Sequence, residues 1–371
     1  MRRPVLHQFV VGAALGDAIT DQALLLNRWL REDGFSSLIF AESIEPALTR
    51  RVRSYMQYRP SRPGETVILH HSIGTAMVDY LLSLDVWFLI VYHNVTPPEF
   101  LRNADPALAE QLARGRKQLT PLRDRTLLGL AASPYNEAEL KRIGFAPTGV
   151  LPNMLDESQY RLDSNPDLLA HHWSKEPLLL SVGRLAPNKR QEDLIKLLHY
   201  YRRIEPSAHL LLVGTPWVPA YADWLQEMAQ ELELGEAVVF AGHVSQRDMV
   251  TYYRLADLYV SMSEHEGFGK PLIESMYLGL PVLAYAGAAV PGTMGGSGVL
   301  FREKRHEALA ELVDILVKDN ALRQRIVARQ RERAKAFLEP EVHRTWRAFL
   351  REASGANCGS AIPTQRDDHP A

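Results

Sequence analysis

Two glutamates separated by seven residues, Glu266 and Glu274, stand in the run Ser263-Glu264-His265-Glu266-Gly267-Phe268-Gly269-Lys270-Pro271-Leu272-Ile273-Glu274. Pro271 suits the first turn of a helix, where its missing N–H is no loss. Gly279 suits the position just past that helix, and Pro281 prevents its continuation. Leu258–Met262 reads as a buried strand before the loop and Pro281–Ala286 as the next strand. A loop therefore holds Glu266 and a helix holds Glu274. Carboxylates placed in this way can accept hydrogen bonds from the hydroxyls of a sugar at one end and of a ribose at the other. Gly267 and Gly269 would let backbone N–H groups come close to a ligand. The helix N-terminus adds positive potential.

A second cluster lies in Val182-Gly183-Arg184-Leu185-Ala186-Pro187-Asn188-Lys189-Arg190, between a strand and a helix beginning near Glu192. Arg184 and Lys189 there offer two cations to a diphosphate. The alternative is a solvated basic turn. The first strand is followed by Gly12-Ala13-Ala14-Leu15-Gly16-Asp17, which lacks the full G-x-G-x-x-G nucleotide fingerprint. A loop that packs close to substrate across a cleft fits it better, and plain close packing of a helix on a strand is the alternative. His93, in Tyr92-His93-Asn94-Val95-Thr96-Pro97-Pro98, ends a strand and could bond a sugar hydroxyl or a developing charge. His70 and His71 end another strand, and no spacing makes a closed metal site with them. Ser245 reads as a helix N-cap with Asp248 three residues on. Between Arg102 and Arg125, six Lys or Arg face three Asp or Glu, interleaved with leucines. That segment fits an amphipathic helix packed on the core, or one lying on an anionic membrane surface.

These groups need scaffolding of a definite kind. With 371 residues, 46% of them apolar, the chain is expected to hold two domains. Candidate strands are Leu6–Val11, Ser37–Ala41, Val67–His71, Trp87–Tyr92, Leu127–Ala132 and Gly149–Leu151, then Leu178–Val182, Leu210–Val213, Val238–Ala241, Leu258–Met262, Val282–Ala286 and Val299–Phe301. Helical patterns such as Ala18–Glu32 and Glu192–Arg203 separate most of them, which predicts an α/β fold of two doubly wound parallel sheets. The polar stretch Asp156–Lys175 reads as the passage between domains. The expected organisation is a first domain over 1–160, a linker over 161–176, a second domain over 177–338, a helix over 339–352 and a disordered tail over 353–371. The net charge of −2 provides no global attraction for nucleic acid. The one cysteine, Cys358, excludes an internal disulfide and favours a cytoplasmic setting. The start, Met1-Arg2-Arg3 before an apolar run, reads as the approach to a first strand rather than a signal peptide, because His7, Gln8 and Asp17 interrupt it.

Gly183-Arg184 with Lys189, and Glu266-Gly267-Phe268-Gly269 with Glu274, resemble the donor-site motifs of the retaining glycosyltransferases of family 4. Leu151–Asp156 resembles that family's passage into its second domain, and the resemblance runs from about Val5 to Leu350. It implies a GT-B fold, two Rossmann-like domains facing a cleft, with the last helix crossing back to the first domain. It also implies roles. Glu274 would bind the donor ribose. Glu266 would face the transferred hexose, beside the backbone of Gly267, Phe268 and Gly269. Arg184 and Lys189 would neutralise the diphosphate. His93 would touch the sugar, Gly12 and Gly16 would lie by the diphosphate and acceptor, and Val244 would pack near the base. Asp17, His71 and Asn94 are the candidates on the acceptor side. Three positions depart from the pattern. Lys270 stands where an apolar residue is frequent, and is a candidate for phosphate. Arg190 stands where glycine is common. Ala13 and Ala14 replace two adjacent glycines.

The expected activity is transfer of a hexose from a nucleotide diphosphate sugar, GDP-mannose or a UDP-hexose, to a hydroxyl, with no metal or other cofactor. The expected acceptor is a saccharide or lipid-linked saccharide for surface polysaccharide, with peripheral contact at the inner membrane face and no nucleic-acid partner. The competing readings are a sugar-nucleotide epimerase or a non-catalytic binder on the same fold. A glycoside hydrolase fits less well, since it sets two carboxyls across one glycosidic bond. A dinucleotide oxidoreductase lacks its fingerprint glycines.

Overall fold

The computed structural model describes residues 4–170 and 176–355, without the side chains of 354 and 355. Cys358, the tail beyond 355 and positions 171–175 of the expected linker lie outside the described residues. The chain divides into two compact units. One holds the residues up to Pro98, then Ala107–Met154 and the segment from Pro340; the other holds Glu99–Pro106 and Leu155–Glu339.

The first unit runs β1 (His7–Ala13), α1 (Ala18–Glu32), β2 (Ile39–Ile44), β3 (Val52–Ser54), β4 (Glu65–His71), α2 (Ala76–Ser83), β5 (Val86–Tyr92), α3 (Pro106–Arg123), β6 (Thr126–Ala131), α4 (Pro134–Ile143) and β7 (Thr148–Val150). Its seven strands are all parallel, in the order β3-β2-β1-β4-β5-β6-β7. A parallel sheet is covered on both faces, so its central strands are apolar almost throughout. All seven residues of β4 are buried, and β5 is Val-Trp-Phe-Leu-Ile-Val-Tyr with only Trp87 exposed.

Helix α1 begins at Asp17, whose carboxylate accepts from the N–H groups of Ile19 and Thr20. It buries Ala23, Leu26, Trp29 and Leu30, three or four residues apart along one face. That face meets the chain's last helix. In the second unit and after it follow α5 (Pro166–Leu169), β8 (Leu178–Val182), α6 (Gln191–Tyr201), β9 (His209–Val213), α7 (Pro219–Glu231), β10 (Val238–Gly242), α8 (Gln246–Leu255), β11 (Leu258–Ser261), α9 (Lys270–Leu278), β12 (Val282–Tyr285), α10 (Val290–Met294), β13 (Val299–Phe301), α11 (His306–Lys318), α12 (Asn320–Ala334) and α13 (Glu339–Gly355). Val342, Trp346, Leu350 and Ala353 of α13 share a core with Leu26, Trp29, Leu30, Leu128, Leu130 and Leu151. Trp29 also stacks on His343, ring centroids 4.4 Å apart. Each fully buried large apolar side chain contributes about 1.5–3 kcal/mol.

The second unit's sheet is parallel too, ordered β10-β9-β8-β11-β12-β13. Both sheets reverse strand order once, between β1 and β4 in the first and between β8 and β11 in the second. Crevices at the carboxyl ends of strands on either side of such a reversal are where open α/β sheets bind ligands.

Three differences from the sequence reading have physical causes. β3 was not anticipated, because it is a short edge strand in which only Val52 is buried and Arg53 is exposed. The polar stretch after Asp156 is packed structure as far as Ala170, not a linker. Asn165 donates to Asp248 (2.7 Å), and its N–H donates to Thr251 Oγ1 (2.8 Å). Arg254 donates to the carbonyls of Leu162 (2.7 Å) and Tyr160 (3.2 Å). The last helix continues through residues 353–355, which were expected to open the tail.

Candidate active site

In the second unit, the ends of β8 and β11 carry the two clusters singled out by composition. Gly183 follows β8, and its N–H donates to Val213 at 2.9 Å. The backbones approach so closely here that a Cβ on Gly214 would run into the Gly183 carbonyl. The chain then turns through Pro187–Lys189 into α6. Asn188 is 3% exposed and ties this turn to the loop after β11. Its amide donates to the His265 carbonyl (3.1 Å), and its own carbonyl accepts from Glu264 N–H (3.0 Å) and Ser263 Oγ (3.3 Å). That clamp sets Lys189 against Glu266. The lysine Nζ lies 2.6 and 2.7 Å from the two carboxylate oxygens. Lys189 is therefore already paired rather than an open cation. Arg184 is exposed, with its guanidinium 5.3 Å from the ring centroid of Trp217.

Gly269 caps α9 at φ 85°, a conformation that favours glycine. The Phe268 carbonyl accepts from Thr293 Oγ1 (2.6 Å), and the Glu266 carbonyl accepts from Ala289 N–H (3.2 Å). No backbone–backbone bond among the described residues starts from the N–H of Gly267, Phe268 or Gly269. Phe268 is itself buried, edge-on to Phe337 at 5.5 Å.

Glu274 is buried one turn into α9 and held by two phenols. Tyr160 donates to Oε1 at 2.5 Å and Tyr253 to Oε2 at 2.6 Å. Lys270, one helical turn back, lies 3.9 Å from Oε1. Burial and the adjacent Glu274 charge push the Tyr253 phenol well above its ordinary value, so it stays a donor. A carboxylate has about four lone-pair sites, so two remain for ligand hydroxyls. The sequence reading did not foresee Tyr160, which lies in the stretch taken for a linker, nor Tyr253.

Arg190 explains its own departure from the family pattern. It adopts φ 56°, left-handed backbone that suits glycine, at the N-cap of α6. Its side chain compensates with bonds to Glu264 (3.0 Å) and Glu192 (3.0 Å). Lys304 bonds the same Glu264 (2.8 Å) and Asp193 (2.9 Å). Burial would raise the Asp193 carboxyl, but Lys304, Lys196 and Arg190 together bring it below its ordinary value. Val244 is half-buried just before α8, whose N-cap is Ser245 as anticipated; Ser245 Oγ accepts from Asp248 N–H.

In the first unit, the expected residues also gather where strand order reverses. Gly12, next to last in β1, has its carbonyl accepting from Thr20 Oγ1 (3.3 Å), and Gly16 turns at φ 75° with open space beside it. Asp17 serves as the α1 cap, its Oδ2 accepting from Ile19 N–H (3.1 Å) and Thr20 N–H (3.0 Å). His93 is partly exposed, and its Nε2 lies 3.0 Å from His70 Nδ1. Two acceptor-side candidates face inward instead. His71 is fully buried with Nε2 on the Gly115 carbonyl at 2.9 Å. Asn94 is buried and donates to Asn136 (2.9 Å) and Glu139 (3.1 Å). Both side chains are committed to packing, which speaks against acceptor contact. Two cations of α3 are also engaged: Arg114 bonds Asp79, and Arg116 bonds Glu139 and the Val95 carbonyl. Among the described residues no His, Cys, Asp and Glu group could hold a metal. No helix among them is long and apolar enough to cross a membrane.

Residues 170–333 match the family model "Glycosyl transferases group 1". That match falls on the second unit and covers under half of the chain. Among curated relatives, the D-inositol 3-phosphate glycosyltransferase of Nocardia farcinica is 28% identical over 290 residues, covering 74% of this chain and 64% of the relative. The chain thus spans under two thirds of that protein. A GDP-mannose-dependent alpha-(1-6)-phosphatidylinositol monomannoside mannosyltransferase of Mycolicibacterium smegmatis is 25% identical, over 62% of this chain and 69% of the relative. Among solved structures, Anabaena HepE in complex with UDP and glucose matches with TM-score 0.72 over 94% of this chain and 100% of that chain, at 18% identity. That likeness shows the fold alone, two parallel-sheet Rossmann-like domains of GT-B type.

Proposed function

We propose that this chain transfers a hexose from a nucleotide diphosphate sugar to a hydroxyl of a saccharide or lipid-linked saccharide, with retention at the anomeric carbon. The observation that carries the proposal is the edge of the second sheet, where a buried carboxylate with spare lone pairs and a Lys–Glu pair flank three backbone N–H groups. Glu274, fixed by Tyr160 and Tyr253, takes the ribose hydroxyls. Glu266 and the N–H groups of Gly267, Phe268 and Gly269 take the hexose. Lys189 has three N–H donors and directs two to Glu266, so one is left for the departing diphosphate. Arg184 and the N-terminus of α9 add positive potential where negative charge develops, which lowers the barrier more than it strengthens ground-state binding. No metal has a part in this scheme. The relatives named for inositol phosphate and mannoside acceptors favour a polyol or glycolipid acceptor, and the neighbour holding UDP and glucose favours a nucleotide-hexose donor.

The test is a thermal-shift panel of nucleotide sugars, since a ligand that binds only the folded state raises the melting temperature. It is followed by labelled transfer to glycans and glycolipids, with the product anomer read by NMR. Stabilisation by a nucleotide sugar and an axial product from an axial donor are expected. Conversion of the donor without acceptor would instead make the chain an epimerase. Binding without any turnover would make it a binder.

A further inference from the structure

Three side chains of the first unit form a hydrogen-bonded line with a fixed direction. Gln8 is fully buried on β1, and its amide nitrogen donates to the Ala23 carbonyl at 3.1 Å. A carbonyl can only accept, so Gln8 Oε1 is the atom that faces His70 Nε2, 3.1 Å away. Oε1 also can only accept, so Nε2 of His70 bears the proton. Burial, with His93 beside it, holds His70 well below its ordinary value and therefore neutral. Its Nδ1 is then bare. The nitrogen 3.0 Å from it, Nε2 of His93, must be the donor of that bond. The two rings are 14° from coplanar with centroids 5.3 Å apart, an in-line geometry that suits a lone-pair-directed bond. What remains on His93 is Nδ1, a buried nitrogen with no protein partner. An unmet buried acceptor is destabilising, and a ligand hydroxyl would satisfy it.

We infer that Gln8 and His70 are positioning residues that lock His93 as its Nε2–H tautomer, presenting Nδ1 to accept a hydrogen bond from a ligand hydroxyl. The hydroxyl part rests on the function proposed above; the tautomer lock does not. A phosphate or carbonyl oxygen is rejected at this point, because two lone pairs would face each other.

The test is long-range proton–nitrogen NMR on the full chain labelled with nitrogen-15 histidine, at neutral pH. The His70 and His93 signals are assigned by their loss in His70→Phe and His93→Gln. Both rings are expected to show protonated Nε2 and bare Nδ1. In Gln8→Leu both should lose the single-tautomer pattern. If that variant does not fold, His93 in His70→Phe should do the same. A proton on His93 Nδ1, or an unchanged His93 pattern in the folded variant, overturns the lock. UDP-glucose and GDP-mannose are then compared with UDP and GDP. A nucleotide sugar that raises the melting temperature and moves the bare Nδ1 resonance toward the hydrogen-bonded position supports the hydroxyl assignment. One that raises it without moving Nδ1 overturns that assignment. If no nucleotide sugar raises it, the functional reading and the hydroxyl assignment fail together, and the lock is judged on the unliganded spectrum.

Discussion

Tyr160 reaches a carboxylate 114 residues away in sequence, donating to Glu274 at 2.5 Å. The bond ties the stretch after Asp156 to the first turns of α9, and with Tyr253 it orients both carboxylate oxygens. Tyr160→Phe keeps the ring, which packs near Tyr277, and removes only the donor. One hydrogen bond to a charged group is worth about 1.5–3 kcal/mol. Donor KM is therefore expected to rise about tenfold or more, with kcat changing less. An unchanged donor KM would show that Glu274 does not depend on this tyrosine.

Lys189 and Glu266 stabilise one another in the absence of ligand. Lys189→Ala leaves Glu266, only 15% exposed, facing no cation at that point. Discounted for partial solvent exposure, the expected loss is about 1–2 kcal/mol of stability. The double variant Lys189→Ala, Glu266→Gln should recover more than half of it. A double-mutant cycle by urea unfolding measures the coupling, and simple additivity would contradict the pairing. Transfer should fall in both single variants.

At Arg190 the backbone and the side chain pull in opposite directions. Left-handed φ costs a non-glycine residue about 1 kcal/mol or more. Half-exposed ion pairs such as those to Glu192 and Glu264 return about 0–1 kcal/mol each. Arg190→Ala should be destabilised, because it keeps the strain and loses the pairs. Arg190→Gly should be more stable than Arg190→Ala by about 1 kcal/mol, as read by denaturant midpoints. Equal stability of the two variants would contradict the φ argument.

The first unit should weaken in mild acid. Burial lowers His71 and His93 to about 4, in His93 against the pull of Asp17, and takes His70 well below its usual value. An unfolded histidine titrates near 6.5. Above that pH neither state binds the protons and full stability is present. As pH falls from about 6.5 toward about 4, the unfolded chain takes up protons that the native rings refuse. Stability should then fall by about 1.4 kcal/mol per pH unit for each histidine. Urea midpoints across that window check the slope, which should be shallower in a folded His71→Asn variant.

Much of this molecule could be read before any coordinates. β8 and β13 begin and end where they were expected, since β8 lies between Pro177 and Gly183 and β13 between Gly298 and Arg302. The Gly279 cap of α9 was visible because helix ends have their own residue chemistry, whereas Gly269 was read for close backbone approach and proves to be the N-cap as well. The relay through Gln8 was not visible, because it depends on β1 lying beside β4, and strand order is not written in local pattern. Tyr160 was missed for a related reason. Its surroundings are polar because they bond to α8, and a polar run that bonds to protein looks the same in sequence as one that bonds to water. His71 and Asn94 end buried strands like His93 does, and only the position of α3 and α4 shows that they turn inward.

Trp29, near the beginning of the chain, and Trp346, near its end, belong to one apolar cluster. During synthesis the N-terminal half therefore leaves the ribosome with that cluster unfilled, while the second unit has all its strands before α13 is translated. The domain made second is then expected to mature first. A chain stopped before α13 should expose the Trp29 face and be recognised by chaperones or proteases through its first half rather than its second.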